Sequence, residues 1–471
     1  MMDRRGVRAE QAGAGEAMVS ARLARLVRAL PAHTGTLAVC ALAHVVGQSC
    51  NLLFQIALAR HFGLAGYGEL GLAHLLLVLI CFAGDLGYSS LFLREDPSQR
   101  GWSRLWRAAF GHKLVATVVL YSAALTGWAL TYGAQGIGFS YLVATSPAAL
   151  FSVASLWPPL LAQGRRISAF CVQQSPWPVA LLLWTVFARE DISAGGTGLM
   201  VSIGFAAQLV ASLAVWKHPA DLLPAWSGGG QILKAALSLS TIGLAGAAHD
   251  RLTPFLVSFL APKFLPVFLL LGHGLNGLSG IASQINRVLL PQVASPTGRR
   301  WSVGLSAAVL IGTGVMLQAM LPIMLAWHGE IAGLQPELVM PTILAWAIAT
   351  MGGVFATEMI GHRREGTLAR IILAGTAVSA VLQLIATAVA SVDGVVWARA
   401  CCAQGIAMVS LRTCGVSPGL AGLLLHASIF AIALEPHMPW LWPASGAMLV
   451  LAVICIAGGG PVFTRRDARQ S

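Results

Sequence analysis

Residues 244–256 read "LAGAAHDRLTPFL" and set His249, Asp250 and Arg251 side by side in an otherwise apolar run. Such a triplet could hold an anionic group with its guanidinium and a proton or cation with its carboxylate. Alternatively, it could be a structural pair neutralising itself or a neighbouring helix. Adjacent helical residues point about 100° apart, so Asp250 and Arg251 are poorly placed to satisfy each other, which favours a hydrated cavity. Pro254 donates no hydrogen bond to the carbonyl of Asp250, so a free acceptor and a kink are expected beside the charges.

Other polar groups fall at helical spacing. His44, Gln48, Asn51 and Gln55 follow i, i+4, i+7, i+11 and make one stripe, fit either to line a cavity or to hydrogen bond between packed helices. His74, Cys81, Asp85 and Tyr88 form a second set, and His273, Asn276, Gln284 and Arg287 a third. Asp85 reads equally as a cation site or a helix-packing anchor, whereas Glu358 is close enough to Arg363 to snorkel to the surface. There is no HExxH, GxSxG or GxxxxGK[ST] motif, no paired carboxylates in an outer loop and no nucleotide-binding domain, so neither an enzyme nor an ATP-driven machine is indicated. The eight cysteines form no CxxC pair, and no cofactor or metal is expected.

The elements that position these residues are membrane helices. Of 471 residues, 56% are apolar and 10% charged, with a mean hydropathy of +0.74, and segments of spanning length follow one another almost end to end. The expected spans are 33–59, 70–93, 109–131, 138–162, 169–188, 196–216, 235–260, 265–285, 303–327, 340–360, 369–390, 394–411, 418–434 and 439–460. An all-α polytopic membrane protein of about 14 transmembrane helices follows.

The net charge of +12 is a topology signal. With a cytoplasmic N-terminus and every span crossing, 25 of the 30 Lys and Arg residues fall on inner segments. Arg60, Arg189, Lys263 and Arg399 fall at outer ends, and Arg251 within the membrane. This is the positive-inside asymmetry, so both termini are expected to be cytoplasmic and no nucleic acid is implied. "SARLARLVRAL" predicts an amphipathic helix on the inner leaflet or a tail that fixes orientation.

At an offset of 199 residues, Asn51 falls on Asp250, His74 on His273 and Asp85 on Gln284, suggesting two six-helix halves related by a repeat. The expected organisation is an N-terminal segment 1–32, an N-lobe 33–216, a linker 217–234, a C-lobe 235–411, an additional helix pair 412–460 and a basic tail 461–471.

The stretch "ARHFGLAGYGELGLAHLLLVLICFAGDLGYSSLFLR" at 59–94 resembles the first helix hairpin of the bacterial polysaccharide-unit (O-antigen and exopolysaccharide) flippases, in the multidrug/oligosaccharidyl-lipid/polysaccharide exporter superfamily. The outer loop "FGLAGYGEL" and the "DLGYSS" segment carry the likeness, joined by Asp250 and by "INRVLLPQVA" at 285–294. Pro266 stands where the family usually shows a Gly-Tyr pair. The resemblance implies two lobes around a central cavity and alternating access, moving a lipid-diphosphate-linked glycan from the inner to the outer leaflet of the bacterial inner membrane. It implies anion contacts at Arg251 and Arg287, and H+ or Na+ coupling at Asp250. Membrane lipid and other polysaccharide assembly proteins are the implied partners. A cation-coupled drug exporter of the same superfamily and a membrane polysaccharide polymerase or ligase are the alternatives. The latter would normally need a large outer loop, and none is expected.

Overall fold

Apolar runs fold into helices throughout the computed structural model, which describes residues 34–93, 95, 97–188, 192–226, 228–289, 296–327, 334–457 and 461–465. The expected amphipathic N-terminal segment, most of the basic tail and residues 290–294 of "INRVLLPQVA" lie outside the described residues. The first two spans are the arms of one long helix, α1 (Thr34–Gly84), which turn at Gly63 with φ 70° and ψ 167°. Only glycine tolerates that backbone region. Residues 64–69, expected as loop, are helical, because the non-helical backbone inside α1 is confined to Gly63.

The expected helix to residue 93 breaks early. Leu86 (φ 52°) and Gly87 (φ 80°) are both left-handed, and α2 (Tyr88–Phe92) starts anew. A side chain at Gly87 would strike the backbone of Ala236 and Ser240, so this glycine lets two helices approach.

There follow α3 (Trp102–Tyr132), α4 (Ile137–Val153), α5 (Trp157–Ala162), α6 (Arg166–Gln174), α7 (Pro176–Phe187) and α8 (Ala194–Val215). The fifth expected span is thus two helices, divided where Pro176 withdraws its N–H. Next come α9 (Gly230–Leu260), α10 (Leu265–Leu289), α11 (Pro296–Trp327), α12 (Pro336–Gly361), α13 (Glu365–Ala388) and α14 (Val392–Thr413). Ser193 and Ser391 cap α8 and α14 by accepting from the amides of Gly196 and Gly394, each at 3.0 Å. α15 (Leu420–Leu434) and α16 (Leu441–Ala457) complete the helices. Two short strands, Val416–Pro418 and Phe463–Arg465, pair antiparallel and tie the chain beyond α16 to the entry of α15. They are a small departure from an all-helical expectation.

Among the described residues, nine helices are long and apolar enough to cross a bilayer, or ten with α9. The fourteen expected spans are recovered when the arms of α1 count separately and the shorter α6–α7, α15 and α16 are included. The 40° bend of α9 lies between Leu237 and Leu239, and the helix runs on through Pro254.

Early helices pack on early ones, with α4 on α8 and α1 on α4 and α7; late ones pack on late ones, with α12 on α14 and α13 on α9 and α14. The two sets meet chiefly where α10 lies along α1. Leu130, Val186 and Val389, at 83%, 63% and 70% exposure, belong to an apolar exterior suited to lipid.

Candidate functional site

Asp250 and Arg251 project from the middle of α9 into open space. A chamber of about 520 Å³ is lined by α9, α10, α12 and α14, with Ser90 and Leu93 contributed by the early half. A smaller one of about 60 Å³ lies beyond it and includes Arg251, His273, Gly272 and Leu75. Asp250, Asn276, Trp346 and Arg399 line both, so the chambers share one wall.

The larger chamber reaches the end of the bundle where the basic residues gather. Its lining includes Leu93, Leu239, Asn286 and Ile360. Ile360 lies close to Arg363 and Arg364, and Leu239 close to Lys234. At the far end the halves touch. A side chain at Gly71 would come within 2.9 Å of Leu269, Gly68 faces Pro266, and the rings of Tyr132 and Phe259 stack at 6.0 Å.

Small residues make this space. An added Cβ at Gly272 or Gly353 would meet nothing within 4 Å. On α10, Asn276, Ser279, Ser283 and Asn286 face the larger chamber at helical spacing; on α12, Thr350 and Thr357 do so one turn either side of Gly353. The walls are therefore hydroxyl and amide groups on an apolar frame.

Asp250 accepts a hydrogen bond from Arg399 Nη2 at 3.2 Å, in an ion pair across α9 and α14. The Asp250 side chain is 48% exposed and that of Arg399 12%. Arg251 makes no hydrogen bond or ion pair among the described residues, and it lines the smaller chamber. The charged groups on the two linings are Asp250, Arg251 and Arg399, so the formal balance is one positive charge. A desolvated guanidinium left open presents a fork of donors suited to a carboxylate or phosphate oxygen.

Arg399 corrects the topology count. It was assigned to an outer end, but it is the eighth residue of α14 and lies about 10 Å along the axis, level with Asp250. Its position five residues inside the expected span 394–411 was the available signal. Trp346 was likewise missed, although an indole in mid-span, away from the interfacial belt, was legible.

The remaining polar groups divide. Asn276 lines both chambers and His273 the smaller one. His44, Asn51 and Gln55 line neither. Gln174 joins His44 (3.2 Å) to Gln48 (3.1 Å), and Gln55 contacts Asn51 at 3.5 Å while accepting from the Tyr67 hydroxyl at 3.2 Å. The stripe thus hydrogen bonds within the packed early half.

Asp85 is an anchor by geometry. It pairs with Lys113 at 2.8 Å and accepts from the Ser89 amide (2.9 Å) and hydroxyl (2.7 Å), holding the start of α2. Lys113, within the expected span 109–131, is buried. Glu358 is only 2% exposed and so is enclosed rather than snorkelling. His249 lines neither chamber; it is 6% exposed, and neither ring nitrogen has a partner among the described residues. Gln284 and Arg287 lie on α10, but their side chains are outside the described residues.

His74 and His273, which lie 199 residues apart at the offset of the expected repeat, meet with ring centroids 5.6 Å apart. His74 Nδ1 lies 2.7 Å from the Tyr141 hydroxyl.

Several solved structures share this fold. The lipid II flippase MurJ, in an inward closed conformation, is 11% identical with a TM-score of 0.58, covering 89% of this chain and 98% of its own. A MATE in complex with MaD3S is 12% identical with a TM-score of 0.56, covering 84% and 96%. The eukaryotic MATE transporter AtDTX14 is 13% identical with a TM-score of 0.57, covering 86% and 99%. At these identities the likeness is one of fold: this is an all-helical, multi-pass membrane protein of the MATE and MurJ architecture. No family model and no curated protein matches the chain.

Proposed function

We propose that this protein is a transporter that flips a lipid-linked oligosaccharide or polysaccharide repeat unit from the inner to the outer leaflet of the bacterial inner membrane by alternating access. The observation that carries the reading is the chamber: net cationic at its blind end, lined by hydroxyl and amide groups below, reaching the basic end and shut at the other. With the basic end taken as cytoplasmic by the positive-inside rule, this is an inward-facing state. Arg251, which lines the smaller chamber and has no partner among the described residues, takes an anionic group such as the linking diphosphate, while Arg399 is held back by Asp250. The hydroxyl and amide walls match a sugar's donors and acceptors. Alternating access then requires the contacts at Gly68, Gly71 and Tyr132 to part while the basic end closes.

The drug-exporter reading draws on the half-exposed Asp250 carboxylate. A cationic drug would want that carboxylate uncompensated, and two guanidinium groups beside it oppose this. Reconstitution decides between them. Liposomes holding the protein and a fluorescent lipid-linked glycan on one leaflet should lose signal to a quencher on the other; organic cations that accumulate instead, with the glycan static, overturn the flippase reading.

A further inference from the structure

We propose that the facing imidazoles of His74 and His273 form a proton-binding site, whose occupancy drives the far end of the bundle apart. The inference rests on the transport reading and deepens it by naming the coupling ion.

One imidazole comes from the early set of helices and one from the late set, and they meet where α10 lies along α1, at a contact that must break for the far end to open. The ring planes are inclined by 50° and the centroids lie 5.6 Å apart. His74 is fully buried, and its Nε2 has no hydrogen-bond partner among the described residues. The pair is flanked by the hydroxyl of Tyr141 on α4 and the indole of Trp177 on α7, and Arg251 on α9 lines the smaller chamber beside His273, within electrostatic reach of both rings. Behind Tyr141 stand the phenols of Tyr121 on α3 and Tyr67 on α1. None of these groups is a carboxylate. Hard metal cations take oxygen ligands, whereas a site of two ring nitrogens suits a proton.

The sign of the coupling follows from charge. A proton on either ring would add a second positive charge beside that of Arg251, which lines the narrow smaller chamber together with His273. Parting the halves admits water and separates the charges, so proton binding and opening of the far end favour each other. The way back also exists. His273 lines the smaller chamber, which shares Asp250, Asn276, Trp346 and Arg399 with the larger one. A proton taken up at the far end can thus be released toward the basic end once the far contact re-forms, which describes antiport against the glycan.

The test needs no substrate. Nitroxide labels go on Gln135→Cys and Lys263→Cys, exposed far-end sites in the two halves, in a variant whose eight native cysteines are replaced. Electron–electron resonance distances in liposomes are compared in steps from about pH 8 to about pH 4, a range that extends below that of a free imidazole because burial and Arg251 oppose the proton. We expect a longer-distance population to grow on acidification, and its growth to be lost in His74→Gln/His273→Asn. The single variant His273→Asn spares the His74–Tyr141 hydrogen bond; an unshifted distance at about pH 8 shows that it is folded, and it too should lose the response. Distances indifferent to pH in the unsubstituted pair, or an equal response in the variants, overturn the proposal. Because no glycan is present, this outcome is separate from failure of the flippase reading.

Discussion

The two halves carry similar polar residues and use them differently. In the early half the groups answer one another: Gln174 bridges His44 and Gln48, Tyr67 closes on Gln55, and Lys113 and Ser89 occupy Asp85. In the late half Asp250 takes Arg399 and leaves Arg251 open beside empty space. Glycines show the same contrast. Gly47 and Gly84 press against Gln174 and Thr117, whereas Gly272 and Gly353 face nothing. Polar residues on membrane helices become packing or a cavity according to what the opposite helix offers, and small residues opposite them hold the space open.

The largest effect should come from breaking the late half's charges. Arg251→Ala removes the open cation and should cut glycan flipping at least about tenfold, since losing a charged, desolvated contact costs about 2 kcal/mol or more. Asp250→Asn should do likewise by releasing Arg399. Normal flipping by both variants, inserted at ordinary levels, would discard the chamber as the site. Next in size, Gly353→Leu should obstruct the larger chamber and slow flipping with little loss of thermal stability, because the new side chain enters open space. An equal leucine at Gly84 should instead lower the yield of folded protein, since it would meet Thr117.

The early half predicts a change in stability, with activity spared. Lys113→Met leaves Asp85 without its counter-ion and should cost about 3 kcal/mol, read as a lower melting temperature in detergent, while flipping per folded molecule holds. A specific loss of flipping at unchanged stability would make Asp85 part of the transport path. The smallest effect is expected from Asn51→Ala, about 0.2–0.5 kcal/mol, because its partner Gln55 lies one turn away on the same helix. A large loss of flipping there would erase the contrast between the halves.

Much of the fold was legible because spanning length and basic asymmetry are properties of the chain alone. Apolar runs gave the spans, and their interruptions fell at residues such as Gly63, Gly87 and Pro176, whose backbone preferences are local. Yet residues 60–69 were read as a loop, whereas the structure keeps them helical and confines the break to Gly63. Of the candidate site, Asp250 and Arg251 were legible from the cost of charge at mid-bilayer, whereas Arg399 was not recognised as the partner of Asp250.

The sequence by itself determined that this is a multi-pass helical protein with ionisable groups at membrane depth, since hydrophobic length and the expense of buried charge follow from composition and spacing. Only the tertiary structure decided which polar groups are consumed in packing. It joined Asp250 to Arg399, 149 residues away, left Arg251 open, and set His74 against His273. The reason is that a side chain's partner depends on which helices lie beside it, and that is fixed by the packing of the whole bundle.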